Sequence, residues 1–204
     1  MPRPKEFDRD KVLEVARSIF WKNGFEATST EDLRVAMGIG RQSFYDTFGS
    51  KRQIFVEVLR KYSSDGIQEC IAMLRAEKSP LAALETLLLS FSKETPEERA
   101  RGCMGVAAMC ELGVGDLEIA EVGKSSTATL ESILEGLIRE AKAEGEVRAS
   151  VRERAAARQL NATILGMKVL AKGGASAEAL RDIALSAIDG LRFMDKAVQT
   201  KRSK

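Results

Sequence analysis

The sequence predicts an all-α protein: a three-helix head at the N-terminal end and a larger helical bundle behind it, about nine helices in all. Proline occurs only at positions 2, 4, 80 and 96, which leaves long stretches without a helix breaker. Helix-forming Ala, Leu, Glu, Arg and Lys dominate these stretches, and their apolar residues recur three and four positions apart. Few segments alternate with a period of two, so no sheet is expected.

The first helix is predicted over residues 8–23, the second over 30–37 and the third over 41–48, with Ser50 capping a long fourth helix. Behind them, Pro80 suits the first position of a helix, and Asp116, Ser150 and Ser176 are predicted to cap later helices. These caps place the last two helices at residues 151–172 and 177–195.

The composition restricts the function. Hydrophobic residues make up 44% and charged residues 30% of the 204, as in globular proteins. No apolar run approaches the roughly 20 residues of a membrane span, and the polar N-terminus lacks a signal-peptide core, so we expect a cytoplasmic protein.

The chain contains no histidine, which excludes Ser-His-Asp and Cys-His nucleophile systems and zinc sites with histidine ligands. Its three cysteines, Cys70, Cys103 and Cys110, form no CxxC pair. We therefore expect no enzymatic activity, no cofactor and no metal.

The second and third predicted helices, joined through Gly38-Ile39-Gly40, have the spacing of a helix-turn-helix. Gly38 can adopt the positive φ that ends a helix abruptly, and Ile39 can be buried in the angle between the helices. Phe44 and Phe48 lie four residues apart and can face inward with Ile39. The start of the third helix is then left to enter a DNA major groove.

The residue types on the outer face of this helix suit DNA. Arg41 and Gln42 are types that hydrogen-bond base edges. The acidic Asp46 is unfavourable near phosphate, unless it accepts from a cytosine amino group or orients Arg41 or Gln42. The full predicted DNA-binding set is Thr30, Arg41, Gln42, Ser43, Tyr45, Asp46, Thr47 and Lys51. Arg3 and Lys5 form a basic arm suited to the minor groove.

The segment from about Val12 to Tyr62 resembles the DNA-binding domain of the TetR family of transcriptional regulators. The resemblance is carried by ARSIFWKNGFEATSTEDLRVAMGIGRQSFYDTFGSKRQIFVEVL, a match in order over about fifty residues. Gly40 departs from it, because the family often has Ser or Thr there. Asp46 and Thr47 replace residues that are commonly aromatic or basic.

The resemblance implies a homodimeric repressor that binds double-stranded DNA at a palindromic operator and is released by a small-molecule effector. By position it implies that Thr30, Arg41, Gln42, Ser43, Tyr45 and Lys51 contact DNA. The predicted domains are 1–50 for DNA binding and 51–204 for ligand sensing and dimerisation. A helical ligand carrier that does not bind DNA is the alternative, which inward-facing Arg41, Gln42 and Tyr45 would favour.

Apolar stripes on the last two helices are candidates for the dimer interface, with the chain's own core as the other interpretation. The stripes are Leu160, Ile164, Met167 and Leu170 or Ala171 on one helix, and Leu180, Ile183, Ala184, Ala187, Ile188 and Leu191 on the other. In a dimer, as the resemblance implies, the last two helices would pack against the same two helices of the second copy in a four-helix bundle.

The sulfur-rich segment GCMGVAAMCELGVGD suits a pocket for apolar ligands, unless its Met and Cys residues are ordinary core. The predicted effector-binding residues are Leu59, Tyr62, Phe91, Cys103, Met104, Met109, Ile164 and Met167. The segment also resembles a TetR subgroup with a Gly-Cys at this place, some members of which sense electrophiles or oxidants. Arg99 and Arg101 precede Cys103 and can lower its pKa, so a redox-sensing Cys103 is a second hypothesis.

Overall fold

The structure, a computed structural model, describes residues 7–113 and 115–192 and confirms the all-α class. The helices of this part of the chain are α1 (Arg9–Asn23), α2 (Thr30–Met37), α3 (Arg41–Phe48), α4 (Lys51–Arg75), α5 (Pro80–Lys93), α6 (Pro96–Arg101), α7 (Met104–Leu112), α8 (Leu117–Ala143), α9 (Glu153–Lys172) and α10 (Ala177–Asp189). They number ten because the segment after Pro96 breaks at Gly102, whose φ is 68°. No helix among these residues is long and apolar enough to cross a membrane.

Most predicted helix starts are confirmed by their capping bonds. The Ser50 hydroxyl accepts from the backbone N–H of Gln53 at 3.1 Å, at the start of α4. Asp116 accepts from the backbone N–H groups of Glu118 and Ile119 at 3.0 and 3.2 Å, at the start of α8. Each cap satisfies donors that have no partner inside the helix.

The predicted Ser150 cap is wrong, because α9 begins at Glu153 and its N-cap is Arg152, without a side-chain cap bond. A turn delays the helix: the Val151 N–H donates to the Arg148 carbonyl at 3.0 Å. The last helix also ends earlier than predicted, at Asp189. Arg192 then forms an isolated antiparallel bridge with Val147.

The chain divides into two compact units. The first contains Met1–Gly66 and Cys103–Ser126, and the second contains Ile67–Gly102 and Thr127–Lys204. Helices α4 and α8 contribute residues to both. The predicted head lies within the first unit, and the assignment of functions to residues 1–50 and 51–204 stays a prediction.

The core of the first unit joins the head to residues far along the chain. Phe20 packs edge-on against Phe55 with ring centroids 4.9 Å apart. Met104 and Ala108 of α7 and Ile119 of α8 are buried in the same cluster. The head helices therefore share one hydrophobic core with α7.

The second unit has its own core, formed by α5, α9, α10 and the parts of α4 and α8 that belong to it. The core includes most of both predicted dimer stripes: Leu160, Ile164, Met167, Ala171, Leu180, Ala184, Ile188 and Leu191 are all buried within this one chain. For these residues the dimer-surface interpretation is wrong, because a side chain buried in its own subunit cannot contact a partner. The other interpretation, that they are core, is the one that fits.

Candidate nucleic-acid interface

A firm start to α2 and a tight turn after it position the candidate interface. Ser29 and Asp32 form a reciprocal capping box: the Ser29 hydroxyl accepts from the Asp32 N–H at 3.0 Å, and Asp32 accepts from the Ser29 N–H at 2.9 Å. Gly38 ends the helix with a φ of 66°, as its predicted role required. A Cβ there would meet nothing within 4 Å, so the backbone angle and not crowding favours glycine.

Two contacts hold the turn between α2 and α3. Ile39 is buried, and its carbonyl accepts a hydrogen bond from Arg34 at 3.2 Å. Arg34 also donates to Glu31 at 3.0 Å, and this bond is the main cause that lowers the pKa of Glu31. The charge of Arg41 lowers the same pKa further. The carboxylate of Glu31 thus remains ionised beside the start of α3.

Phe44 and Phe48 anchor α3, as predicted from their spacing. Both are buried, and their ring centroids lie 5.7 Å apart. Gly40 is the N-cap residue, extended at φ −67° and ψ 156°, and no side chain caps the helix. The helix is therefore positioned by its buried aromatic face and not by its first turn.

The structure places the predicted contact residues on the outer side of this anchor. Arg41, Gln42, Asp46 and Tyr45 are exposed, and Thr30, Ser43, Thr47 and Lys51 are half-buried. Tyr45 is 42% exposed, with its ring packed edge-on against Phe44 at 5.5 Å. Its phenol can therefore reach outward from a fixed ring.

Asp46 is held by Gln42. Gln42 Nε2 donates to Asp46 Oδ1 at 2.8 Å, one turn apart on α3. Of the roles considered for Asp46 from the sequence, the structure contains the one in which it orients Gln42.

Lys51 already has partners within the first unit. Its ammonium donates to the Phe25 carbonyl at 3.0 Å and lies 4.1 Å from the centroid of the Phe25 ring. These contacts fix the cation at the start of α4, where a phosphate contact remains a prediction. The sequence did not indicate Phe25 as the residue that positions it.

A second residue that sequence reasoning missed is Glu111, on α7. Its carboxylate accepts from the backbone N–H groups of Phe25 at 3.0 Å and Glu26 at 2.8 Å. Because 86 residues separate Glu111 from Phe25, no local pattern could indicate this link. It fastens α7 to the loop between α1 and α2.

The predicted effector-binding residues are divided between the units. Leu59 and Met104 are buried in the first unit, and the Tyr62 hydroxyl donates to Cys103 Sγ at 3.4 Å. Met109 is 45% exposed. In the second unit, Ile164 and Met167 are core residues, and Phe91 lies beneath the Lys168 ammonium at 5.6 Å. That these residues bind one effector stays a prediction.

The basic arm of Arg3 and Lys5 lies outside the described residues. Among the described residues, no group of three or more Cys, Asp or Glu side chains is arranged to hold a metal ion.

Comparison with known proteins gives matches over the head and over nearly the whole chain. Residues 12–58 match the model for bacterial regulatory proteins of the tetR family. The HTH-type transcriptional regulator YezE of Bacillus subtilis is 33% identical over 195 residues, covering 93% of this chain and all of that protein. The HTH-type transcriptional repressor ComR of Escherichia coli is 35% identical over 188 residues, covering 89% of this chain and 88% of that protein.

Solved structures are similar over comparable lengths. The regulator CifR, as a cysteine mutant complexed with 26bp double-strand operator DNA, superposes with a TM-score of 0.78 at 26% identity, covering 93% of this chain and 99% of that one. A regulator from Cytophaga hutchinsonii superposes with a TM-score of 0.83, covering 96% of this chain and all of that one. Its 15% identity supports the fold alone.

Proposed function

We propose that this chain, which belongs to the tetR family of bacterial regulatory proteins, is a homodimeric repressor that a small-molecule effector releases from a palindromic operator. That it is a DNA-binding transcriptional regulator and not an enzyme follows from its relatives. The repressing action, the dimer, the operator symmetry, the effector and a cytoplasmic location are our proposal.

The observation that carries the proposal is the exposed first turn of α3 on a buried aromatic anchor. Arg41 and Gln42 are exposed there, and both are types that read base edges in the major groove. Thr30, Ser43 and Tyr45 carry hydroxyls suited to phosphate oxygens, and Lys51 supplies a cation. Because Arg41, Gln42 and Tyr45 do not pack inward, the ligand-carrier alternative loses its support.

The dimer interface we propose is the face of α9 that its own core leaves uncovered. Val169 and Leu170 are 55% and 47% exposed, although both are large apolar residues. Gly166, one turn before Leu170, and Ala162, two turns before it, are also exposed. Small residues allow close approach of a partner helix, and two-fold symmetry would set the heads about 34–36 Å apart on DNA.

For release, we propose that an effector acts through α7. This helix carries predicted effector residues, shares the core of the head, and holds the α1–α2 loop through Glu111. A shift of α7 therefore shifts the head. An effector that binds the shifted state more tightly than the DNA-binding state would release the protein from the operator.

The test compares Arg41→Ala with Arg181→Ala, an equal loss of charge at an exposed position on α10. A duplex selected by the unmodified protein from a random library serves as the probe. We expect Arg41→Ala to weaken its binding by about 5- to 150-fold, as the loss of a base contact does, and Arg181→Ala to leave it unchanged. Equal binding of every duplex by the unmodified protein would refute the proposal.

A second candidate function, sensing through the Cys103 thiol, is favoured by one contact, the hydrogen bond that Tyr62 donates to Cys103 Sγ. Cys70 provides a matched control, because burial raises the pKa of its thiol and makes it less reactive. If Cys103 is the sensor, an alkylating agent releases DNA from the unmodified protein and from Cys70→Ser but not from Cys103→Ser. Equal release from all three would exclude it.

A further inference from the structure

The side-chain amide of Gln42 has a defined orientation, set by Asp46. Gln42 Nε2 donates to Asp46 Oδ1 at 2.8 Å, and both side chains are exposed on α3. An ionised carboxylate only accepts hydrogen bonds, so the amide must turn its nitrogen and not its oxygen toward Asp46. Asp46 therefore decides which hydrogen-bonding groups of Gln42 are left for DNA.

The groups that remain are one donor and one acceptor. A glutamine amide has two N–H donors and one carbonyl oxygen, and one of the donors is given to Asp46. In the major groove adenine presents an acceptor, N7, beside a donor, the N6 amino group, whereas guanine presents two acceptors, N7 and O6. The remaining edge of Gln42 thus matches adenine and lacks the second donor that guanine requires.

We propose that Asp46 is a specificity-determining residue that acts through Gln42, holding its amide in the orientation that reads an A·T pair and rejects G·C. The proposal rests on the proposed function for one point, that the start of α3 enters the major groove. Gln42 is the second residue of α3, and the N-terminal residues of a recognition helix are those that reach base edges.

This role accounts for a carboxylate on a helix that faces DNA. Asp46 repels phosphates whatever the sequence, so it weakens binding to every duplex. Fixing Gln42 strengthens binding only where adenine stands in register. The uniform repulsion leaves the ratio of specific to non-specific binding unchanged, and the fixed Gln42 raises it; this ratio is the quantity that matters for a regulator.

The experiment uses the full-length protein and duplexes selected from a library randomised over about two helical turns. Binding is then measured to the selected duplex and to versions in which each A·T pair is replaced by G·C. We expect one A·T pair in each half-site whose replacement weakens binding by about 5- to 150-fold. In Asp46→Ala and Asp46→Asn the ratio of the affinity for A·T to the affinity for G·C at this position should fall several-fold. The Gln42 amide can then turn and offer both of its N–H groups to guanine. Binding to unrelated duplexes should strengthen at the same time.

Two controls separate this role from a loss of charge and from a loss of helix stability. Glu26→Gln removes one negative charge from an exposed site in the same unit and should leave the ratio unchanged. In a Gln42→Ala background, Asp46→Ala should no longer change the ratio. The ratio compares two duplexes on the same variant, so a smaller folded fraction lowers both affinities equally and does not imitate the effect.

The proposal is overturned if the protein selects a clear motif but Asp46→Ala keeps its A·T to G·C ratio, or if the ratio changes equally without Gln42. It is also overturned if no half-site position prefers A·T. Selection of no motif at all would refute the proposed function together with this inference, which distinguishes the two failures.

Discussion

The link between α7 and the head predicts the effect of Glu111→Ala. The carboxylate accepts two backbone N–H groups, at 3.0 and 2.8 Å, across 86 and 85 residues. A hydrogen bond to a charged group contributes about 1.5–3 kcal/mol net in a protein. Because Glu111 is exposed, solvent screening reduces this. We therefore expect the pair of bonds to contribute about 1–2 kcal/mol in total.

For a chain of this size, 1 kcal/mol corresponds to about 2–4 °C in Tm, so Glu111→Ala should melt about 2–8 °C lower. Glu121→Ala is the matched control, since Glu121 is an exposed helical glutamate of the same unit. Thermal unfolding by circular dichroism gives the shift. Amide hydrogen exchange gives the local effect, which should be faster at Phe25 and Glu26. Melting within 1 °C or so of the control, with unchanged exchange at both amides, would refute the reasoning.

Two further predictions concern stability. Arg52 donates to Asp116 at 2.6 Å and lowers its pKa from 3.8 to about 2, so this carboxylate stabilises the fold above pH 4 or so and loses its effect as the pH falls toward 2. Asp116→Asn, which keeps a capping side chain, should lower Tm at pH 7 and match the unmodified protein near pH 2. Gly40→Ser should add about 0.5–1 kcal/mol, partly by capping α3 and partly by lowering the backbone entropy of the unfolded chain. The Gly40 backbone is extended and the nearest atom to a new Cβ, Ser43 Oγ, is 4.0 Å away, so the serine fits; an unchanged Tm would contradict this.

The parts of the head that the sequence predicted correctly are those with short-range causes. The capping Ser50, Gly38 at positive φ and the pair Phe44 and Phe48, four residues apart, each act within one or two helical turns. Their effect on the backbone is therefore contained in a few consecutive residues. The same reasoning failed at Ser150, where one hydrogen-bonded turn delayed the helix beyond a residue that suits a cap.

Which element buries a helix face, in contrast, depends on residues far away in the sequence. The stripe on α9 has helical spacing, which identifies an apolar face but not the element that covers it. The structure covers that face with the chain's own α5 and α10. The uncovered face carries Val169 and Leu170, and it is recognised only once the core is known.

The contacts that hold the candidate interface in place are mostly long-range and involve backbone groups. Lys51 donates to a carbonyl 26 residues away, and Glu111 accepts from two amides more than 80 residues away. Every residue except proline has both a backbone N–H and a carbonyl. The side chain of the residue whose backbone is bonded therefore does not reveal that Lys51 or Glu111 will pair with it. Both contacts meet at Phe25, whose carbonyl accepts from α4 and whose N–H donates to α7. A movement of either helix therefore acts on the same loop of the head, because both contacts end at Phe25.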